Sequence, residues 1–281
     1  MKVLLTNDDG ITATGFHAFR RALLAVPGIE LAVIAPDSNR SAIGRGITTR
    51  APLTVEEVDF GDGTKGFATD GTPVDCVRFA TLGLLEFTPE LIVSGINHGA
   101  NLGDDITYSG TVAAAFEGVI LGIPAIAVSQ QARRGEMGWS FGEEMDFSRA
   151  AEFAAGLVEN FHDVPLQDGT ILNVNVPAGP VEGARVCTLG KRIYRDRLEQ
   201  TGEDGGRKTY RIYGDDPSYV NEDGTDFEAI AEGNIAVTPV HFDLTSRESI
   251  ETLARFDLNA FVGEVGNTGG ASEPEIATSL D

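Results

Sequence analysis

A three-layer α/β/α sandwich on a Rossmann-like sheet, with a β-rich carboxyl-terminal extension or arm, is the architecture this sequence predicts. Short apolar runs without alternation, at residues 3–5, 91–94 and 125–129, read as strands buried on both faces. Amphipathic stretches of about a dozen residues lie between them, and strands alternating with helices imply a parallel sheet covered on both sides. After about residue 180 the pattern breaks into short strands and glycine- and aspartate-rich turns such as Gly202-Glu-Asp-Gly-Gly206.

The elements follow in order. Residues 2–6 form the first strand. A helix over 15–26 places Phe16, Phe19, Leu23 and Leu24 on one face. Residues 30–35 form a second strand, stopped by Pro36. Residues 47–69 read as a β-hairpin with Gly61-Asp62-Gly63 as its turn. Thr72 and Pro73 open a helix over 73–85 as cap and first residue. A strand over 91–94, a helix over 110–121 and a strand over 125–129 come next. A helix over 146–161 precedes a strand over 171–176, ended by Pro177. Short helices over 226–232 and 249–256 flank a strand over 235–239. Residues 1–180 are expected to form the core, 181–262 the extension and 263–281 a disordered tail, rich in glycine, serine and acid.

The charge is unusual. The chain of 281 residues carries 43 Asp and Glu against 21 Lys and Arg, a net −22. Such self-repulsion is tolerated where salt screens it, so the composition favours a salt-loving host. It argues against duplex nucleic acid or an anionic membrane as partner. Cys76 and Cys187 stand far apart without CxxC spacing, which fits two buried thiols in a reducing cytoplasm. No signal-like apolar core is seen, and a cytoplasmic location is expected.

Four loops after strands concentrate small polar residues. Asn7-Asp8-Asp9-Gly10 ends the first strand, where open α/β sheets bind ligands. Its residues also suit a plain turn. Two adjacent carboxylates beside an amide offer the hard oxygen donors that hold Mg²⁺ or Mn²⁺. Asn39-Arg40-Ser41 follows the second strand and can meet a phosphate or complete a metal shell. Asn97-His-Gly-Ala-Asn101-Leu-Gly-Asp-Asp105 is long and glycine-rich, a form suited to an anion nest, but it lacks both the P-loop ending and the dinucleotide fingerprint. Tyr108-Ser109-Gly110-Thr111 opens a helix whose free N–H groups can cap or bind phosphate. Converged on one sheet edge, these loops would set a carboxylate-bound cation beside an anion cradle, as phosphate-ester chemistry requires. His98 sits at the pocket edge; His17, His162 and His241 lack metal-ligand spacing, so a histidine zinc site is not expected.

These motifs, with Tyr-Ser-Gly-Thr-Val-Ala-Ala-Ala after residue 107 and Gly224-Thr-Asp-Phe-Glu-Ala-Ile further on, closely resemble the SurE family of survival-protein nucleotidases. The resemblance implies metal-dependent hydrolysis of nucleoside 5′-monophosphates, and of 3′-monophosphates as a further possibility. It puts one divalent cation, Mg²⁺ or Mn²⁺, on Asp8, Asp9, Ser41 and Asn97. It puts phosphate contacts on Asn101, Ser109, Gly110 and Thr111. Dimerising arms and an exchanged carboxyl-terminal segment would fall after about residue 180, implying a homodimer or a dimer of dimers. Asp8 and Asp9 are thus the expected catalytic pair, with a metal-activated water favoured over a covalent aspartyl nucleophile. A binding module without turnover and an exopolyphosphatase remain the rival readings.

Overall fold

The structure is a computed structural model describing residues 1–132, 145–212 and 217–262. The chain divides into two compact units, Met1–Phe242 and Asp243–Asp281. The tail expected over 263–281 lies outside the described residues.

The first unit is built on a nine-stranded sheet. Its members are β1 (Lys2–Thr6), β2 (Glu30–Pro36), β3 (Val55–Asp59), β4 (Lys65–Thr69), β5 (Leu91–His98), β6 (Ala125–Gln130), β7 (Thr170–Val176), β8 (Gly183–Val186) and, late in the chain, β13 (Asn234–His241). The order is β3-β4-β2-β1-β5-β6-β7-β13-β8. From β4 to β7 all neighbours run parallel; β3 and β13 are antiparallel to β4 and β7. The connection leaves β1 to one side for β2 and later returns to its other side with β5, so the sheet reverses direction at β1. That is the switch point at which α/β sheets open a crevice.

Strand alternation sorts the core into layers. Val3 and Leu5 face one way, packing with Phe16, Phe19 and Leu23 of α1 (Thr14–Leu24) and with the alanines of the helix over Ser148–Glu159. Leu4 faces the other way, toward Val77 and Ala80 of α2 (Pro73–Thr81) and Val112 and Ala115 of α3 (Gly110–Ile120). The Ser148–Glu159 helix, α4, completes the three layers. Full burial of each large apolar side chain of α1 contributes about 1.5–3 kcal/mol. Leu24 is 43% exposed, against the expectation. At 100° per residue it falls well off the stripe set by Phe16, Phe19 and Leu23.

Several ends differ from the sequence reading for local reasons. The hairpin occupies only Val55–Thr69 of the expected 47–69. Side chains take the backbone donors before it: Asp75 accepts from Thr48 N at 3.0 Å and Asp70 from Thr54 N at 2.8 Å. α2 opens with a capping box between Thr72 and Asp75 and ends before Gly83, whose φ is +103°. Residues beyond 180 return to the sheet as β8 and β13. They also form β9 (Arg192–Ile193) paired with β12 (Ser218–Tyr219), and an exposed hairpin of β10 (Glu199–Asp204) and β11 (Arg207–Arg211) turned at Gly205-Gly206. α5 (Asp226–Ala231) packs on β13.

The second unit, as far as it is described, holds a helix over Arg247–Leu253 and a 3₁₀ turn over Leu258–Phe261. No helix among the described residues is long and apolar enough to cross a membrane. Cys76 and Cys187 are free and buried, as expected.

Candidate active site

The site grows from the carboxyl end of β1. Asn7 Nδ2 donates to Gly10 O at 2.9 Å and closes the turn. Gly10 has φ +99°, and a Cβ there would lie 3.1 Å from the Ser38 carbonyl carbon. Only glycine permits both the turn and this approach. The loops after β1 and β2 are thereby joined: Arg40 N donates to Asp8 O at 2.6 Å and Ile11 N to Pro36 O at 2.8 Å. The Arg40 guanidinium is engaged with Asp37 Oδ1 at 3.1 Å and with Asp70 O at 3.0 Å. It fixes the loop, a role the sequence did not reveal.

Asp8 is buried, 3% exposed, at the start of α3. Its Oδ1 accepts from the Thr111 hydroxyl. Ser109 caps α3, its Oγ accepting from Val112 N at 3.1 Å. Gly110 is the point of contact: a Cβ there would stand 2.7 Å from Asp8 Cβ and 2.9 Å from Oδ2. The carboxylate therefore sits against the positive end of a helix. Burial and the neighbouring Asp9 nevertheless push the Asp8 carboxyl up to about 6, outweighing the Thr111 hydrogen bonds.

Asp9 is also pushed up, by burial. Its Oδ2 accepts from His98 N at 2.9 Å and its Oδ1 from Asn39 Nδ2 at 3.0 Å. The Ser41 hydroxyl is a further hydrogen-bond partner of Asp9. Asn39 in turn holds Ser41, its Oδ1 accepting from Ser41 N at 2.8 Å. The next residue, Ala42, has φ +60°. So Ser41 meets Asp9 because Asn39 bridges the two loops.

Asn97 lies where β5 breaks register with β6, between Ser94 and Asn97. Its Nδ2 donates to Gly99 O at 2.7 Å, which leaves Oδ1 as its open donor atom. Asn101 faces the sheet. Its Nδ2 donates to Ser129 Oγ at 2.8 Å, its N to Asn175 Oδ1 at 2.7 Å, and its carbonyl accepts from Asn173 Nδ2 at 2.9 Å and Asn175 Nδ2 at 3.0 Å. His98 offers its backbone to Asp9, while its ring lies edge-on to Phe147 at 6.3 Å.

The donor set suits a hard cation. Both carboxylates are desolvated, Asp9 raises the proton affinity of Asp8 further, and the pair needs a positive charge. Asn7 Oδ1 is buried beside them with no partner among the described residues. No group of three or more His, Cys, Asp or Glu gathers as a metal cluster among the described residues, so a shell built on Asp8 and Asp9 would draw on hydroxyl and amide oxygens, water or substrate.

A family model described as survival protein SurE matches residues 3–196. The chain belongs to the SurE family. It is 49% identical over 267 residues to the 5′-nucleotidase SurE of Rubrobacter xylanophilus, covering 93% of this chain and 99% of that protein. The 5′-nucleotidase SurE of Geobacter sulfurreducens is 43% identical, with 96% and 99% covered. The SurE protein of Aquifex aeolicus, solved by crystallography, superposes with a TM-score of 0.76 at 36% identity, with 91% of this chain and 99% of that one covered.

The loops that carry the SurE motifs are thus bonded to one another around the carboxyl end of β1. Asp8, Asp9, Ser41 and the start of α3 come together. The Thr111 hydroxyl is turned to Asp8 and the Asn101 amide to Ser129. Sequence reasoning missed Asn173 and Asn175, which support Asn101. Two asparagines at alternate positions of an otherwise apolar buried strand were the available signal.

Proposed function

We propose that this SurE-family chain is a phosphomonoesterase that depends on a divalent cation and hydrolyses nucleoside 5′-monophosphates to nucleoside and phosphate, with nucleoside 3′-monophosphates as candidate further substrates. One observation carries the reading: two adjacent carboxylates with raised proton affinities, Asp8 buried against the first turn of α3 and Asp9 beside it, held by Asn39 and His98. The names of the relatives agree with it.

Asp8 and Asp9 would hold the cation, Mg²⁺ or Mn²⁺, with Ser41 and Asn97 completing the shell. Such an ion polarises a phosphoryl oxygen and makes a water more acidic. Thr111 favours the ionised form of Asp8 and aims it, by donating to Oδ1. The Ser109 hydroxyl and the Gly110 amide supply hydrogen bonds to phosphoryl oxygens as charge builds on them. Asn101 acts from behind, fastening the loop after β5 to the sheet.

The same reading takes the protein to be cytoplasmic and a homodimer or dimer of dimers. Half-exposed or exposed apolar residues around the hairpin, Ile193, Leu198, Tyr210 and Ile212, support a surface that another copy covers. Phosphate release from AMP and GMP, with Mn²⁺ and then with EDTA, tests the proposal. Release that EDTA abolishes and Mn²⁺ restores is expected. Nucleotide binding without release would overturn the enzyme reading, and faster release from short polyphosphate would overturn the substrate class.

A further inference from the structure

The turn that feeds α3 is held from far along the chain. A 3₁₀ turn over Gly103–Thr107 leads directly into Tyr108, Ser109 and Gly110. At its two ends Asp105 N donates to Leu102 O at 3.1 Å and Tyr108 N to Asp105 O at 3.0 Å, and within it the Thr107 hydroxyl donates to Asp104 O at 2.8 Å. Such turns have poor hydrogen-bond geometry and hold their shape weakly by themselves.

Three carboxylates, those of Asp104, Asp105 and Asp226, and the guanidinium of Arg192 fasten it. Asp226, fully buried at the start of α5, accepts from Gly103 N at 2.8 Å through Oδ2. Through Oδ1 it accepts from Gly190 N at 2.9 Å and Phe227 N at 3.0 Å. Gly103 has φ +51°, and a Cβ there would lie 2.6 Å from Gly190 O, so the two segments touch backbone to backbone. Arg192 N donates to Asp104 Oδ2 at 3.0 Å. The Arg192 guanidinium donates to Asp105 Oδ2 from Nε at 2.8 Å and from Nη2 at 2.5 Å. Tyr194 OH donates to Asp105 Oδ1 at 2.8 Å, so both oxygens of Asp105 are taken. The guanidinium also lies over the Phe227 ring at 4.5 Å, and that ring stacks on Tyr219 at 4.8 Å. Charge-assisted bonds from a planar fork fix direction as well as distance.

The position of this clamp gives it a consequence for chemistry. Only three residues separate Asp105 from Ser109, and Gly110 already stands against Asp8. A shift of about 1 Å in a positioned group can reduce a rate about 100-fold. We infer that Asp105, Arg192 and Asp226 are positioning residues for the hydrolysis: they hold the 103–107 turn so that the start of α3 meets Asp8 and the phosphoryl group at working distance. The inference rests on the phosphomonoesterase reading of the site. It ties the base of the arm, residues 190–194, to the reaction.

The test uses the full-length protein with Asp105→Asn, Arg192→Lys and Asp226→Asn. Asp105 is partly exposed, and the Arg192→Lys change keeps the charge without the fork, so two of the three variants avoid emptying a buried site. The readouts are kcat and KM for AMP at saturating Mn²⁺, Mn²⁺ affinity from a titration with the metal alone, and hydrogen exchange by peptide. Asp105→Asn is expected to lower kcat/KM about 10- to 100-fold and to speed exchange over 103–112. Exchange over β1 should stay within about twofold of wild type and the Mn²⁺ affinity should fall clearly less than kcat/KM, with Arg192→Lys intermediate in kcat/KM. Variants with wild-type kcat/KM, or with losses matched by lost Mn²⁺ affinity, overturn the inference while wild type still turns over. A wild-type protein that releases no phosphate fails the phosphomonoesterase reading itself, and this inference with it.

Discussion

The hydroxyl of Thr111 donates to Oδ1 of Asp8, a residue 103 positions earlier in the chain. The bond joins the end of the first strand to the second residue of α3, and it is one of the few forces holding down a proton affinity that burial raises. Thr111→Val keeps the shape and removes the donor. We expect Mn²⁺ affinity and kcat/KM to fall about 10- to 100-fold, as for other groups that orient a ligand from behind. Calorimetric Mn²⁺ titration and steady-state kinetics check this; an unchanged affinity would show that Asp8 needs no such support.

Asp8→Asn keeps the volume and removes the charge. Metal-dependent release of phosphate should drop by more than about 100-fold, beyond the effect of an outer partner, with circular dichroism unchanged. The assay belongs in molar KCl, given the net charge of −22.

Gly110→Ala would ordinarily stabilise a helix by about 1 kcal/mol. Here the new methyl would sit 2.7 Å from Asp8 Cβ. The sign should therefore reverse, with a loss of about 1–3 kcal/mol from overpacking and loss of activity. Urea denaturation beside AMP turnover measures both.

The pH dependence follows from Asp8. Its carboxyl is raised from 3.8 to about 6 in the folded chain. Below pH 3.8 it is neutral in the folded and unfolded chain alike, so it costs nothing. As pH rises through about 6, the folded protein must ionise a buried acid. The metal-free protein should thus lose stability across that window, on the order of 3 kcal/mol. Mn²⁺ should restore it above pH 6 and bind progressively less well below, where protons compete. Thermal unfolding in EDTA and in Mn²⁺ across pH 4–8 gives the two curves, and parallel curves would refute the assignment.

Stability should also rise with salt. Between about 0.1 M and about 2 M KCl the screening length shrinks to a few ångströms, and a chain of this charge should melt later and turn over faster. A protein fully stable and active in dilute buffer would argue against a salt-loving host.

Much of this site was legible in the sequence. The run Val3-Leu4-Leu5 ending in Asn7-Asp8-Asp9-Gly10 announces both a buried strand and an oxygen-rich loop, and Ser109 announces a cap. What was hidden lies in direction and long-range pairing. The letters place Thr111 and Asn101 in the right loops but not the way their side chains turn. The Thr111 hydroxyl donates to Asp8 while Ser109 caps the helix, and the Asn101 side chain donates to Ser129 while Asn173 and Asn175 hold its backbone carbonyl. The contact of Asp226 with Gly103 spans 123 positions, a pairing that no local periodicity encodes.

The hydrogen bonds of Asn101 make the loop after β5 part of a nine-stranded sheet, with little freedom of its own. Ser41, by contrast, is exposed and held through Asn39 on the loop after β2. On the proposed reading, one flank of the ion is fixed ground and the other is yielding. Exchange of the cation with solvent would then run through the Ser41 side, and its rate would be set by how long Asn39 keeps hold of Ser41 and Asp9 together.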